Sequence, residues 1–130
     1  TPAPGVLEAI AGSDLVVIAP SNPPLSIWPV LAIVEIREAV RRHGAVTAVS
    51  PLIGGKTVKG PADRVMTSLG LPPGNHGVVA AYDGLIDRIV IDTRDGHDAS
   101  SMEGTDVMVT PTLIKRPEEA VRLARELTGL

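Results

Sequence analysis

Two apolar periods alternate along this chain. Leu15-Val16-Val17-Ile18 is a continuous apolar run of strand length, and Ala45 to Val49 is another. Runs without polar alternation are what a parallel strand covered on both faces requires. Between them, Ile33 to His43 changes period. Ile33, Ile36 and Val40 recur on one helical face, while Glu35, Arg37, Glu38, Arg41 and Arg42 fall largely on the others. Gly44 follows, at the place where a helix stop favours left-handed backbone.

The alternation continues downstream. A short helical stretch covers Gly5 to Ala11, and the first strand is Leu15 to Ala19. A helix opens at Pro61, carries Asp63 in its first turn, faces inward with Val65, Met66 and Leu69, and closes at Gly70. Leu71 to Asn75 is a Pro/Gly connector and His76 to Tyr82 a short helix. Ile86 to Ile91 and Asp106 to Val109 read as further strands. The polar loop Thr93 to Thr105 between them has the length of a mobile or partner-contacting segment. Pro117 opens a last helix, with Val121, Ala124 and Leu127 inward, Leu123 at its edge and Glu118–Arg122 as an i,i+4 pair. Strands alternating with helices predict one α/β unit over residues 1–130. The expected form is Rossmann-like, three-layered and mostly parallel, and of partial-domain size.

Composition narrows the partners. Twelve Lys and Arg stand against 15 Asp and Glu, a formal net charge of −3, which argues against a nucleic-acid partner. No apolar run has the length of a membrane span, and no basic-then-apolar stretch opens the sequence, so a cytoplasmic protein without membrane partners is expected. With no cysteine, disulfides, thiolate catalysis and zinc–cysteine sites are excluded. Phe is absent and aromatics make up 2%, so the core must be built from Val, Ile, Leu and Ala. The sequence starts at Thr1 and its methionines are Met66, Met102 and Met108. A piece of a longer protein is therefore expected.

Candidate chemistry gathers in two strand-to-helix loops. Pro20 to Trp28 holds Ser21, Asn22 and Ser26 in a frame stiffened by Pro20, Pro23, Pro24 and Pro29. Hydroxyl and amide groups, with the amides of the following helix start, suit a phosphate or a ribose. The alternative is structural, with Ser21 and Asn22 capping the helix and Trp28 filling the core. Pro51 to Asp63 holds Gly54-Gly55, which lets backbone approach a ligand, and Lys56 and Lys59, which can neutralise phosphate charge. It lacks the Walker A pattern, and by itself a surface turn with two solvated lysines is the simpler account. Two such loops after parallel strands strengthen each other, because open α/β sheets bind ligands at that edge. Asp92, Asp95, Asp98 and His97 could hold a divalent ion, but the order is not that of an EF-hand, and a solvated acidic turn is expected. His43 and His76 are isolated, and no triad signature is present.

Ala19-Pro-Ser-Asn-Pro-Pro-Leu-Ser-Ile-Trp-Pro-Val-Leu31, then Ile36-Arg-Glu-Ala39, Val49-Ser-Pro-Leu-Ile-Gly-Gly-Lys56 and Lys59-Gly-Pro-Ala-Asp63, resembles the 2-phospho-L-lactate transferase family of deazaflavin coenzyme F-420 biosynthesis. Asp106-Val-Met-Val-Thr-Pro-Thr112 and Glu119-Ala-Val-Arg-Leu-Ala124 are weakly similar to its last strand and helix. The resemblance implies transfer of a phospholactyl or phosphoenolpyruvyl group from a guanosine-diphosphate-activated donor to the ribityl hydroxyl of a deazaflavin precursor. GMP leaves and magnesium assists. The family's Gly-Gly-Thr-Gly-Gly loop and Asn-Thr-Gly-Asp-Asp motif do not occur here. The resemblance thus implies the carboxyl-terminal portion alone, with magnesium ligands outside it, no assignable catalytic base and no turnover in isolation. Ser21, Asn22, Pro23, Ser26, Gly54, Gly55, Lys56 and Lys59 carry over as substrate-lining candidates. The alternative is a non-enzymatic regulatory module of the related superfamily that binds nucleotide sugars. An interaction domain without a ligand is a third reading. Exposed sheet edges imply homo-oligomer formation.

Overall fold

The computed structural model describes residues 1–58 and 60–130. Four strands form one wholly parallel sheet in the order β1 (Val16–Ile18), β2 (Val46–Val49), β5 (Arg88–Ile91), β6 (Asp106–Val109). The α/β architecture expected from the apolar pattern is the one observed. A two-stranded hairpin, β3 (Leu52–Ile53) and β4 (Lys56–Thr57), stands apart from that sheet.

Register explains how both faces are covered. Ile18 pairs with Ala48, and Ala48 with Ile89, so these side chains share one face. There they join Ile36 and Val40 of α3 (Val34–His43), Met66 of α4 (Ala62–Ser68) and Val78 and Tyr82 of α5 (Asn75–Tyr82) in the main core. Helix α1 (Val6–Gly12) adds Val6, Leu7 and Ile10 at its margin. Val49, paired with Val90, points to the opposite face, where Leu123 and Leu127 of α6 (Pro117–Thr128) cover them. Val17 lies 44% exposed, because α6 does not reach β1.

Several local expectations are corrected. On α6 the inward pair is Leu123 and Leu127, while Val121 and Ala124 face solvent. Arg122 does not pair with Glu118. It reaches Glu126 at 2.8 Å and the Thr110 hydroxyl at 3.1 Å, which ties α6 to the end of β6. On α4, Ala62 and Met66 are buried, and Leu69 is exposed. Residues Thr93–Ser101 wind into tight 3-10 turns instead of a free loop. Among the described residues, no helix is long and apolar enough to cross a membrane.

Candidate functional site

Strands β1 and β2 are parallel neighbours, so the loops that leave them emerge side by side at the carboxyl edge of the sheet. They enclose a cleft of about 360 Å3. One wall is Pro20, Ser21, Asn22 and Ser26. The other is Pro51 and the stretch around Thr57, Gly60 and Pro61.

The first wall is not the irregular loop that its prolines suggest. Pro23–Ile27 is one wide π turn, followed by α2 (Trp28–Leu31). Asn22 caps it: its Oδ1 accepts from the Leu25 N–H at 3.1 Å, and its carbonyl accepts from the Ser26 N–H at 2.8 Å. Pro23 and Pro24 have no N–H and are buried. The amides of this helix start are therefore absent or already used, which corrects the expectation that they serve an anion. What remains for a ligand is side-chain chemistry. The Ser21 and Ser26 hydroxyls make no hydrogen bond among the described residues, and the Asn22 Nδ2 is likewise uncommitted. Pro23 supports the turn from within and does not line the cleft.

The second wall is a hairpin. Gly54 (φ 64°) and Gly55 (φ 75°) form its two-residue turn, both in the left-handed region that tight hairpins demand. Their job here is the turn, and the Gly54 N–H donates to Asp95 Oδ2 at 3.0 Å. Gly55 and the exposed Lys56 line a separate hollow of about 430 Å3 against α4. Thr57 lines the cleft, with its hydroxyl donating to the Gly60 carbonyl at 2.8 Å and lying 3.1 Å from Asp63 Oδ1. Lys59 lies outside the described residues. The cleft thus gathers Ser21, Asn22 and Ser26, and leaves Gly54, Gly55 and Lys56 around the hairpin's turn.

Buried polar bonds hold this hairpin in place. The Ser50 hydroxyl donates to Asn75 Oδ1 and accepts from the Leu52 N–H at 3.1 Å, while Asn75 Nδ2 donates to Asp98 Oδ2 at 3.2 Å. Asp92 accepts from the Arg94 N–H, the Thr112 N–H and the Thr112 hydroxyl. Burial pushes its carboxyl up. The Thr112 and Arg94 bonds, with the Arg94 charge, outweigh that and hold it below the usual carboxylate range. Asp92 and Asp95 are 5% and 2% exposed, so the solvated acidic turn expected there is instead a structural anchor. Its signal was the short polar spacing after a buried strand, where free N–H groups need acceptors. Among the described residues no three His, Asp or Glu side chains gather as metal ligands. The resemblance puts the magnesium ligands outside this chain, and the lining of the cleft carries no carboxylate among the described residues.

A four-stranded parallel sheet with helices on both faces defines an open α/β protein. The family model of 2-phospho-L-lactate transferase CofD matches residues 1–122, and the chain belongs to that family. It is 40% identical over 126 residues to a 2-phospho-L-lactate transferase of Methanococcus vannielii, covering 97% of the chain and 40% of that relative. It is 41% identical over 130 residues to one of Methanopyrus kandleri, covering 98% and 41%. A phosphoenolpyruvate transferase of Kitasatospora aureofaciens is 40% identical over 133 residues, covering 99% and 41%. The chain spans about two fifths of the length of these curated relatives.

Proposed function

We propose that this chain supplies part of the substrate site of a transferase in coenzyme F-420 biosynthesis. The reaction moves a phospholactyl or phosphoenolpyruvyl group from a guanosine-diphosphate-activated donor to a hydroxyl of a deazaflavin precursor, and GMP leaves. The observation that supports it is the meeting of Ser21, Asn22 and Ser26 with Pro51 and Thr57 around one cleft, in a chain of this family. Side-chain O–H and N–H donors in a preorganised frame orient phosphate or ribose oxygens, and the fixed prolines keep the ordering cost small. The role assigned to these residues is binding and orientation. In the cell the protein works in the cytoplasm, and the open edges of β1 and β6 favour pairing with further copies.

Calorimetry with GDP, with the deazaflavin precursor and with a UDP-sugar tests this reading. Binding of GDP or the precursor is expected, weakened about tenfold in Ser21→Ala/Ser26→Ala, the scale of one or two lost hydrogen bonds. Binding of the UDP-sugar alone would replace the transferase reading with the regulatory one. Unchanged affinity in the double variant would remove the cleft from the site.

A further inference from the structure

The cleft between the β1 and β2 loops is uncharged along its described lining. That matters because the groups passed and released in the proposed reaction are phosphates. An ionised phosphate accepts hydrogen bonds without donating any, and it is held best where donors come with positive charge. An alcohol both donates and accepts.

The free groups on the cleft are of the second kind. The Ser21 and Ser26 hydroxyls offer hydrogens and lone pairs alike, and Asn22 adds its Nδ2 while its Oδ1 is spent on the Leu25 N–H. The Thr57 hydroxyl gives its hydrogen to the Gly60 carbonyl at 2.8 Å, so toward a guest it accepts. Between these groups Pro51, Val58 and Ala62 present carbon, which suits the C–H faces of a sugar or polyol chain. Acceptors beside donors match O–H groups and mismatch an ionised phosphate.

The surroundings point the same way. A carboxylate stands just behind the lining, with Asp63 Oδ1 3.1 Å from the Thr57 hydroxyl. Asp63 lies in the first turn of α4 and already supplies the negative charge which that helix start favours. A phosphate at this end would meet a like charge. Across the cleft, the first amides of the π turn are replaced by proline or bonded to Asn22.

We propose that the strand-end cleft is a polyol subsite, which takes an uncharged, hydroxyl-bearing stretch of the substrates and leaves the phosphoryl groups outside. This rests on the transferase reading of the same cleft and narrows it: Ser21, Asn22 and Ser26 orient sugar or ribityl oxygens, not phosphate oxygens. The stretch comes from the ribose of the guanosine-diphosphate-activated donor or from the ribityl chain of the deazaflavin precursor.

Amide shifts of the labelled full chain locate binding, and calorimetry measures it. Guanosine carries the ribose without phosphate, the precursor carries the ribityl chain, and inorganic pyrophosphate carries charge alone. Guanosine or the precursor is expected to shift Ser21 and Ser26 saturably, with a Kd below about 1 mM, and the one that does so identifies the source. Pyrophosphate leaves both residues unmoved. Affinity stays within about twofold between roughly 20 and 500 mM salt, because no fixed charge holds the guest. Ser21→Ala/Ser26→Ala weakens it about tenfold. Shifts of Ser21 and Ser26 by pyrophosphate, or affinity falling more than about fivefold with salt, would bring a cation such as Lys59 into the site. Either result overturns the proposal and leaves the transferase reading standing. A cleft that answers GDP but neither guanosine nor the precursor does the same. Uridine and a UDP-sugar shifting the cleft, with guanosine, GDP and the precursor inert, keeps the polyol subsite and removes the transferase reading. A cleft that answers no probe ends both.

Discussion

The loops that leave β1 and β2 lie side by side and are held in opposite ways. The first is locally determined. Pro23 and Pro24 set the dihedrals and Asn22 closes the turn within three residues. The second depends on distant partners: Ser50 on Asn75, and Gly54 on Asp95, 25 and 41 positions away. A wall fixed by its own sequence stays formed whatever happens elsewhere in the molecule. A wall pinned by remote side chains is only as firm as the elements that carry them. Damage to α5 or to the turns after β5 should therefore move the hairpin and leave the π turn in place.

Gly77 gives the strongest test of that contrast. A Cβ there would sit 2.0 Å from the Pro72 carbonyl oxygen, a backbone clash with no side chain to yield. Gly77→Ala should cost about 3 kcal/mol in urea unfolding, and it should loosen the hairpin through Asn75. A cost below about 1 kcal/mol would show that the connector before α5 shifts freely. Asn75→Ala strips the buried Ser50 hydroxyl of its acceptor and the half-buried Asp98 of a donor, and should cost about 2 kcal/mol. Amide hydrogen exchange should then rise at Leu52 and Gly54 but not at Leu25. Equal rises in both walls would erase the distinction. Asn22→Ala removes the cap alone, with an expected loss of about 1 kcal/mol and faster exchange confined to Leu25.

The gentlest effect is in acid. Asp92 has a lowered pKa when folded, so the unfolded chain binds its proton more readily. Its carboxylate stabilises the fold above the ordinary carboxylate range, and that contribution fades as pH falls through the folded value. Asp92→Asn should flatten the acid limb of the urea midpoint against pH. Superimposable limbs in parent and variant would refute the anchor.

The same contrast explains what could be read from the sequence. The four strands and α3 followed from apolar period, because burial on a sheet or against it dictates those positions, whereas for α6 the helix and Leu127 were legible but the inward place of Leu123 was not. The first loop's rigidity was visible in its prolines, though not that Asn22 and the prolines leave no amide free. The hairpin was missed even though Gly54-Gly55 is a two-residue hairpin-turn signal, since each strand has only two residues and neither alternates apolar with polar. The acidic segment was misread for a deeper reason. Whether Asp95 meets water or the Gly54 amide is decided by tertiary packing, which no local window contains.

The account rests on the two walls sharing one guest. Backbone amide shifts of the labelled chain, recorded as GDP or the deazaflavin precursor is added, test that most directly. Perturbations concentrated at Ser21, Asn22, Ser26 and Thr57, rising together along one binding curve, are the predicted result. Shifts restricted to one wall, or centred on another part of the sheet, would contradict it.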